Sequence, residues 1–98
     1  MMRKLKKVDE FRTEASNAIF TKQQALAVAF KLFELELADP ANSEEDTRIL
    51  SEAMKRVSFY YFDSTTTQTD AILDSIGVAR MTSEDIINAI NILIFEAE

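Results

Sequence analysis

The residues that could do chemistry in this chain are carboxylates, lysines, hydroxyls and two tyrosines, because its 98 residues include no cysteine and no histidine. Those two absences exclude zinc sites built on thiolates or imidazoles, catalysis by Ser-His or Cys-His pairs, and histidine pH switches. Gly77 is the single glycine, so glycine-rich phosphate loops are excluded as well. The residue types therefore predict a non-enzymatic protein with no catalytic, cofactor-binding or metal-binding residues.

Two acidic features come closest to a chemical site. Glu36 falls within the apolar arc of a predicted helix, where a buried carboxylate can serve as an acid or a base. Because it lies in the last turn of that helix, we expect fraying to let its side chain reach water. Glu44, Glu45 and Asp46 are adjacent, so on a helix they point in different directions and cannot converge on one metal ion. We expect them to complement a helix dipole instead.

The elements that would hold any site are read from hydrophobic periodicity and from cap residues, since glycine and proline occur once each. Apolar residues at helical spacing predict an amphipathic helix at about 4–18. Three further helix starts carry capping-box spacing, namely Thr21 with Gln24, Ser43 with Asp46, and Thr82 with Asp85. The second helix is expected to end at 39–40 because proline disfavours helical geometry before it. The third is expected to reach about 62 and the last the chain end.

A short additional helix is predicted at 70–76, after the polar loop 63–69, with Gly77 closing it. The aromatic stretch 57–62 has strand propensity, but the helical period before it and the lack of a second candidate strand favour helix. We therefore expect an all-α protein of four or five short helices in a compact bundle or orthogonal array. The whole chain, 1–98, is expected to form one domain.

The predicted helices carry more apolar surface than a small monomer needs. Large apolar residues fall on otherwise polar faces of the third and last helices, and the second helix is apolar around more than half of its circumference. These residues are Phe59, Phe62, Ile92 and Phe95, with Phe30 on the second helix. One interpretation is a contact surface for a second copy or another protein. The other is that the second helix is central and that the outlying side chains are covered within the chain.

The net charge of −6 is unevenly distributed. Residues 1–31 carry seven basic and three acidic side chains, whereas 32–98 carry four and fourteen. Arg3, Lys4, Lys6 and Lys7 form a basic start that would suit phosphate or an acidic partner. A solvated terminus is the alternative explanation.

Membrane and sequence-specific DNA partners are disfavoured. No apolar run in the chain, 92–95 and 25–30 included, approaches the roughly 18 residues that suggest a membrane span. At the start of the last helix, Glu84 and Asp85 would face DNA phosphates with negative charge. A cytoplasmic location is the expectation, and nucleic acid remains only a secondary partner.

The sequence predicts a helical protein–protein interaction module that self-associates, with a dimer as the first expectation. An accessory, regulatory or inhibitory protein, of the kind carried by phages or mobile elements, fits this description. The alternative is a nucleic-acid-linked regulator. It would act by phosphate contact through the basic N-terminus or by acidic mimicry of DNA.

Overall fold

The structure, a computed structural model, describes residues 5–62 and 80–98, with the side chains at 59–62 outside this description. Its elements in chain order are α1 (Lys6–Glu14), β1 (Ile19–Thr21), α2 (Lys22–Leu37), α3 (Glu44–Phe62), β2 (Arg80–Thr82) and α4 (Ser83–Ala97). The all-α prediction is confirmed, because the described residues form four helices and a sheet of only two short strands. The helix predicted at 70–76 and its closure at Gly77 lie outside the described residues.

Helix starts are fixed by the predicted cap residues. At α4, the Thr82 hydroxyl accepts the Asp85 N–H at 3.3 Å, and the Asp85 carboxylate accepts the Thr82 N–H at 3.0 Å. The same reciprocal pairs join Thr21 to Gln24 and Ser43 to Asp46. Each pair satisfies backbone donors that the first helical turn leaves without an intrahelical partner. All three predicted caps are confirmed.

Replacing Thr82 with alanine removes the acceptor for the Asp85 N–H. We expect this to lower the free energy of unfolding by about 1 kcal/mol, the usual cost of losing an N-cap side chain. Thr47→Ala is the matched control, since Thr47 is exposed within α3, and it should change the free energy by less than about 0.5 kcal/mol. Denaturant unfolding measures both, and equal losses would contradict the capping role of Thr82.

Two short segments form strands that the sequence did not predict. β1 and β2 pair antiparallel, with Phe20 opposite Met81. The two strands lie far apart in the chain, so the hydrophobic periodicity within either segment gives no sign of their pairing. It also explains why the first helix, predicted at 4–18, ends at Glu14. Ile19, just after the predicted end of that helix, begins β1 and is 59% exposed.

The core lies around α2, which contacts every other helix and strand of the described chain. Buried aliphatic side chains from all four helices form one cluster, and Phe33 and Leu50 are fully inaccessible within it. The sheet adds Met81, also fully buried. A radius of gyration of 12.6 Å agrees with the value of about 13 Å expected for a compact domain of this length. Among the described helices, none has the length and apolarity to span a membrane.

Candidate functional site

The last helix has one buried face and one outward face that carries a large apolar residue. Its inner residues are Ser83, Ile86, Ile87, Ala89, Ile90, Leu93, Ile94 and Ala97. On the outer side, Phe95 is 69% exposed, which is the highest exposed fraction among the large apolar residues that the structure describes. Ile92 lies one turn earlier and is half-buried. An aromatic ring left in water here forgoes about 1.5–3 kcal/mol of burial energy.

A shallow hollow surrounds this exposed ring. The described residues that line it are Asn88, Asn91, Ile92, Phe95 and Glu96, which we name the Phe95 surface. All five residues belong to α4, so one regular helix fixes their relative positions. Within the described residues, this lining has one aromatic, one aliphatic, two amide and one carboxylate side chain, a composition that suits contact with another protein better than chemistry on a small molecule.

The acidic groups at both ends of the outward face are paired with arginines from other helices. Glu96 accepts a hydrogen bond from Arg56 of α3 at 3.1 Å. Glu84, in the first turn of α4, forms a salt bridge with Arg12 of α1 at 3.2 Å. These half-exposed pairs contribute little to stability on their own. Arg56 therefore offsets the charge of Glu96 beside the Phe95 ring, and Arg12 offsets that of Glu84 at the other end of the helix.

The other residues predicted for an interface have different positions. Phe30 is half-buried and packs against the core, which is consistent with the alternative of a central second helix. The side chains of Phe59 and Phe62 lie outside the description, so their part in an interface stays a prediction. Periodicity missed two other exposed apolar residues, Ile19 and the 40% exposed Leu35.

The basic residues at the start of the chain are only partly described. Lys6 is exposed on α1, and the Lys7 ammonium lies 3.5 Å from the Glu10 carboxylate. Arg3 and Lys4 lie outside the described residues. Phosphate or acidic-partner contact through these four residues therefore stays a prediction.

Glu36 is buried, which corrects the expectation that its side chain reaches water. It is only 4% exposed, and its carboxylate accepts a hydrogen bond from the backbone N–H of Lys7 in the first turn of α1. The N-cap of α1 is Leu5, which offers no capping side chain. A carboxylate from the end of α2 thus supplies the missing cap, at the helix end where negative charge is favoured.

Hydrogen bonds keep the last turn of α2 from fraying, which explains the burial of Glu36. The Glu36 carbonyl accepts the Asn42 side-chain amide at 2.7 Å and the Asp39 N–H at 3.1 Å. The Asp39 carboxylate in turn accepts the Ala41 N–H at 2.9 Å. These bonds satisfy groups that a fraying helix end would offer to water. The Glu36 side chain therefore has a structural contact, and the described geometry gives it no reactant to act on.

The carboxylates in the first turn of α3 bind separate partners. Asp46 forms the cap with Ser43, and Glu45 accepts a hydrogen bond from Arg48 at 2.7 Å. That hydrogen bond, with the charge of Glu45, raises the pKa of the Arg48 guanidinium. Across 5–62 and 80–98, no three metal-ligating side chains are grouped so that they could hold an ion.

Comparison with known proteins gives no relative on which a function could be based. No protein-family description matches the chain, and neither the curated proteins nor the solved structures contain a significant match. The exposed Phe95 ring on α4 is the feature of the described residues that points to a function.

Proposed function

We propose that this chain is a non-enzymatic protein–protein interaction module that self-associates through the Phe95 surface. The exposure of Phe95 on an otherwise well-packed helix is the observation that carries the proposal. Contact with a second protein would recover the burial energy that the folded chain leaves unused at this position. A dimer is the first expected assembly, and an accessory, regulatory or inhibitory role in the cytoplasm is the proposed setting.

The packing of α4 supports contact through this face. Its inner face is occupied by the core, so the helix has a fixed orientation and a rigid outer surface. A rigid surface loses little conformational entropy on binding, which favours recognition by a preformed patch. Phe95 has only two side-chain torsions to fix, an advantage that aromatic residues bring to interfaces.

Sedimentation velocity and light scattering of the full chain test this proposal. We expect a concentration-dependent mass above that of the monomer at roughly micromolar concentration. Binding of an apolar-surface dye is expected to fall as the assembly forms, because the dye and the second protein compete for the same ring. A strict monomer that has no affinity for such a dye would overturn the proposed function.

A further inference from the structure

We infer that α1 is a strap that opens as one unit while the rest of the chain stays folded, and that Glu36 is the residue that holds it closed. Opening uncovers the apolar sides of α2 and α4 against which α1 packs. Those sides are then accessible in the open form and covered in the closed form. The inference concerns the start of the chain and is independent of the proposed contact through Phe95.

The helical form of α1 depends on its contacts with the rest of the chain. α1 has nine residues, fewer than the roughly 12–15 that an isolated helix needs to be even marginally stable in water. Six of the nine are charged, and the N-cap, Leu5, makes no side-chain hydrogen bond to the first turn. Once it leaves α2 and α4, α1 is therefore expected to unwind. Because a helix forms and melts cooperatively, the whole segment is expected to open in one step.

Few buried side chains hold α1 in place. Val8 is the buried residue of this helix, whereas α2 buries six residues and α4 eight. Leu5, just before the helix, is also buried, and the Phe11 ring lies 6.0 Å from the ring of Phe20 in β1. Burial energy scales with the apolar area covered, so separating α1 costs much less than separating α2 or α4. Segments with few buried apolar contacts are the ones that open locally in a native protein.

Two polar contacts join the ends of α1 to other helices. In the first turn the Lys7 N–H donates to the Glu36 carboxylate of α2, and in the last turn Arg12 pairs with Glu84 of α4 at 3.2 Å. The arginine pair is about half exposed, so it contributes little. Glu36 is buried, and the loss of its contact leaves a backbone donor without its acceptor. The contact at Glu36 is therefore the one that controls opening.

The segment 15–18 provides a hinge between α1 and β1. Its two central residues are exposed. The Ala15 N–H donates to the Phe11 carbonyl and the Ala18 N–H to the Ala15 carbonyl, so both bonds lie on the α1 side of β1. After the hinge, pairing of β1 with β2 fixes the chain. Movement of α1 therefore requires no change in the strands or in α2.

Thiol labelling under native conditions tests the opening, because the chain has no cysteine of its own. Val8→Cys places a thiol on α1 and Ala89→Cys places one on α4, at positions that are 3% and 5% exposed. Lys31→Cys, at an exposed position, gives the rate for a thiol that needs no opening. We expect Val8→Cys to react about 100-fold or more faster than Ala89→Cys, and more slowly than Lys31→Cys. Equal rates for Val8→Cys and Ala89→Cys would overturn the strap, because both thiols would then react only after global unfolding.

Hydrogen exchange of the unmodified chain provides a second measurement that no substitution disturbs. At increasing urea concentrations below the unfolding transition, we expect the amides of α1 to exchange together. Their exchange should depend less on urea than that of the α4 amides, because opening α1 exposes less surface than global unfolding. The same urea dependence in α1 and α4 would contradict an independent opening.

Adding Glu36→Ala to the Val8→Cys variant tests the role of Glu36. Labelling is expected to become about 10-fold faster or more, because the closed form loses a buried hydrogen bond. Glu34→Ala is the matched control, since Glu34 is exposed on the same helix, and it should leave the labelling rate unchanged. If Glu36→Ala leaves the rate unchanged as well, Glu36 does not hold α1 closed.

Discussion

Phe95→Lys is expected to be monomeric at concentrations where the unchanged chain is a dimer. The substitution places an ammonium group in a contact that otherwise excludes water, and a buried charge without a partner is strongly unfavourable. We expect the dimer dissociation constant to rise by about 100-fold or more. Sedimentation equilibrium over a dilution series measures the change.

The fold itself should tolerate this substitution. Phe95 is 69% exposed and lies in the last turn of α4, where a cation interacts favourably with the helix dipole. The free energy of unfolding, measured in the monomeric concentration range, is expected to change by less than about 0.5 kcal/mol. A loss of dimer together with a loss of fold would not count as support.

Leu35→Lys is the matched control for charge and position. Leu35 is 40% exposed and lies in the last turn of α2, so the same substitution adds the same charge at an equivalent helix end. We expect this variant to remain dimeric. If both variants become monomers, net charge rather than the Phe95 contact controls assembly. If neither does, Phe95 lies outside the interface.

The features that sequence predicted well are those that a few neighbouring residues determine. A capping box joins residues three apart, so Thr21, Ser43 and Thr82 could be identified as helix starts without knowledge of the fold. The outward position of Phe95 follows in the same way from the 3.6-residue period of α4. Both predictions needed only the residues of one helix.

The features that sequence missed depend on contacts between distant segments. Pairing of β1 with β2 brings Phe20 opposite Met81, and three-residue strands are too short to show an alternating pattern. The charge of Glu96 is offset by Arg56, which lies 40 residues away along the chain. The burial of Glu36 likewise depends on a helix 29 residues away. Periodicity within one segment contains no information on such partners.

The position of Glu36 makes the docking of α1 depend on one carboxylate. Two opposing effects decide the result of Glu36→Ala. The substitution removes a buried polar group, which is favourable, and a side chain that caps α1, which is unfavourable. The second effect is expected to dominate, since removing one partner leaves the Lys7 N–H without its acceptor and creates a cavity. We expect the free energy of unfolding to fall by about 1–3 kcal/mol. For a domain of this size, the melting temperature should fall by roughly 4–8 °C for each kcal/mol.

Two further variants identify the cause of that loss. Glu36→Gln keeps an acceptor of similar size without the charge, so about half of the stability should return. Glu34→Ala is the matched control, because Glu34 is exposed and forms only an i,i+3 surface pair with Lys31; its effect should stay below about 0.5 kcal/mol. Hydrogen exchange provides the local measurement. Amides of α1 are expected to lose protection from exchange in Glu36→Ala and to keep it in Glu34→Ala. Unchanged protection of α1 in both variants would show that Glu36 does not hold this helix in place.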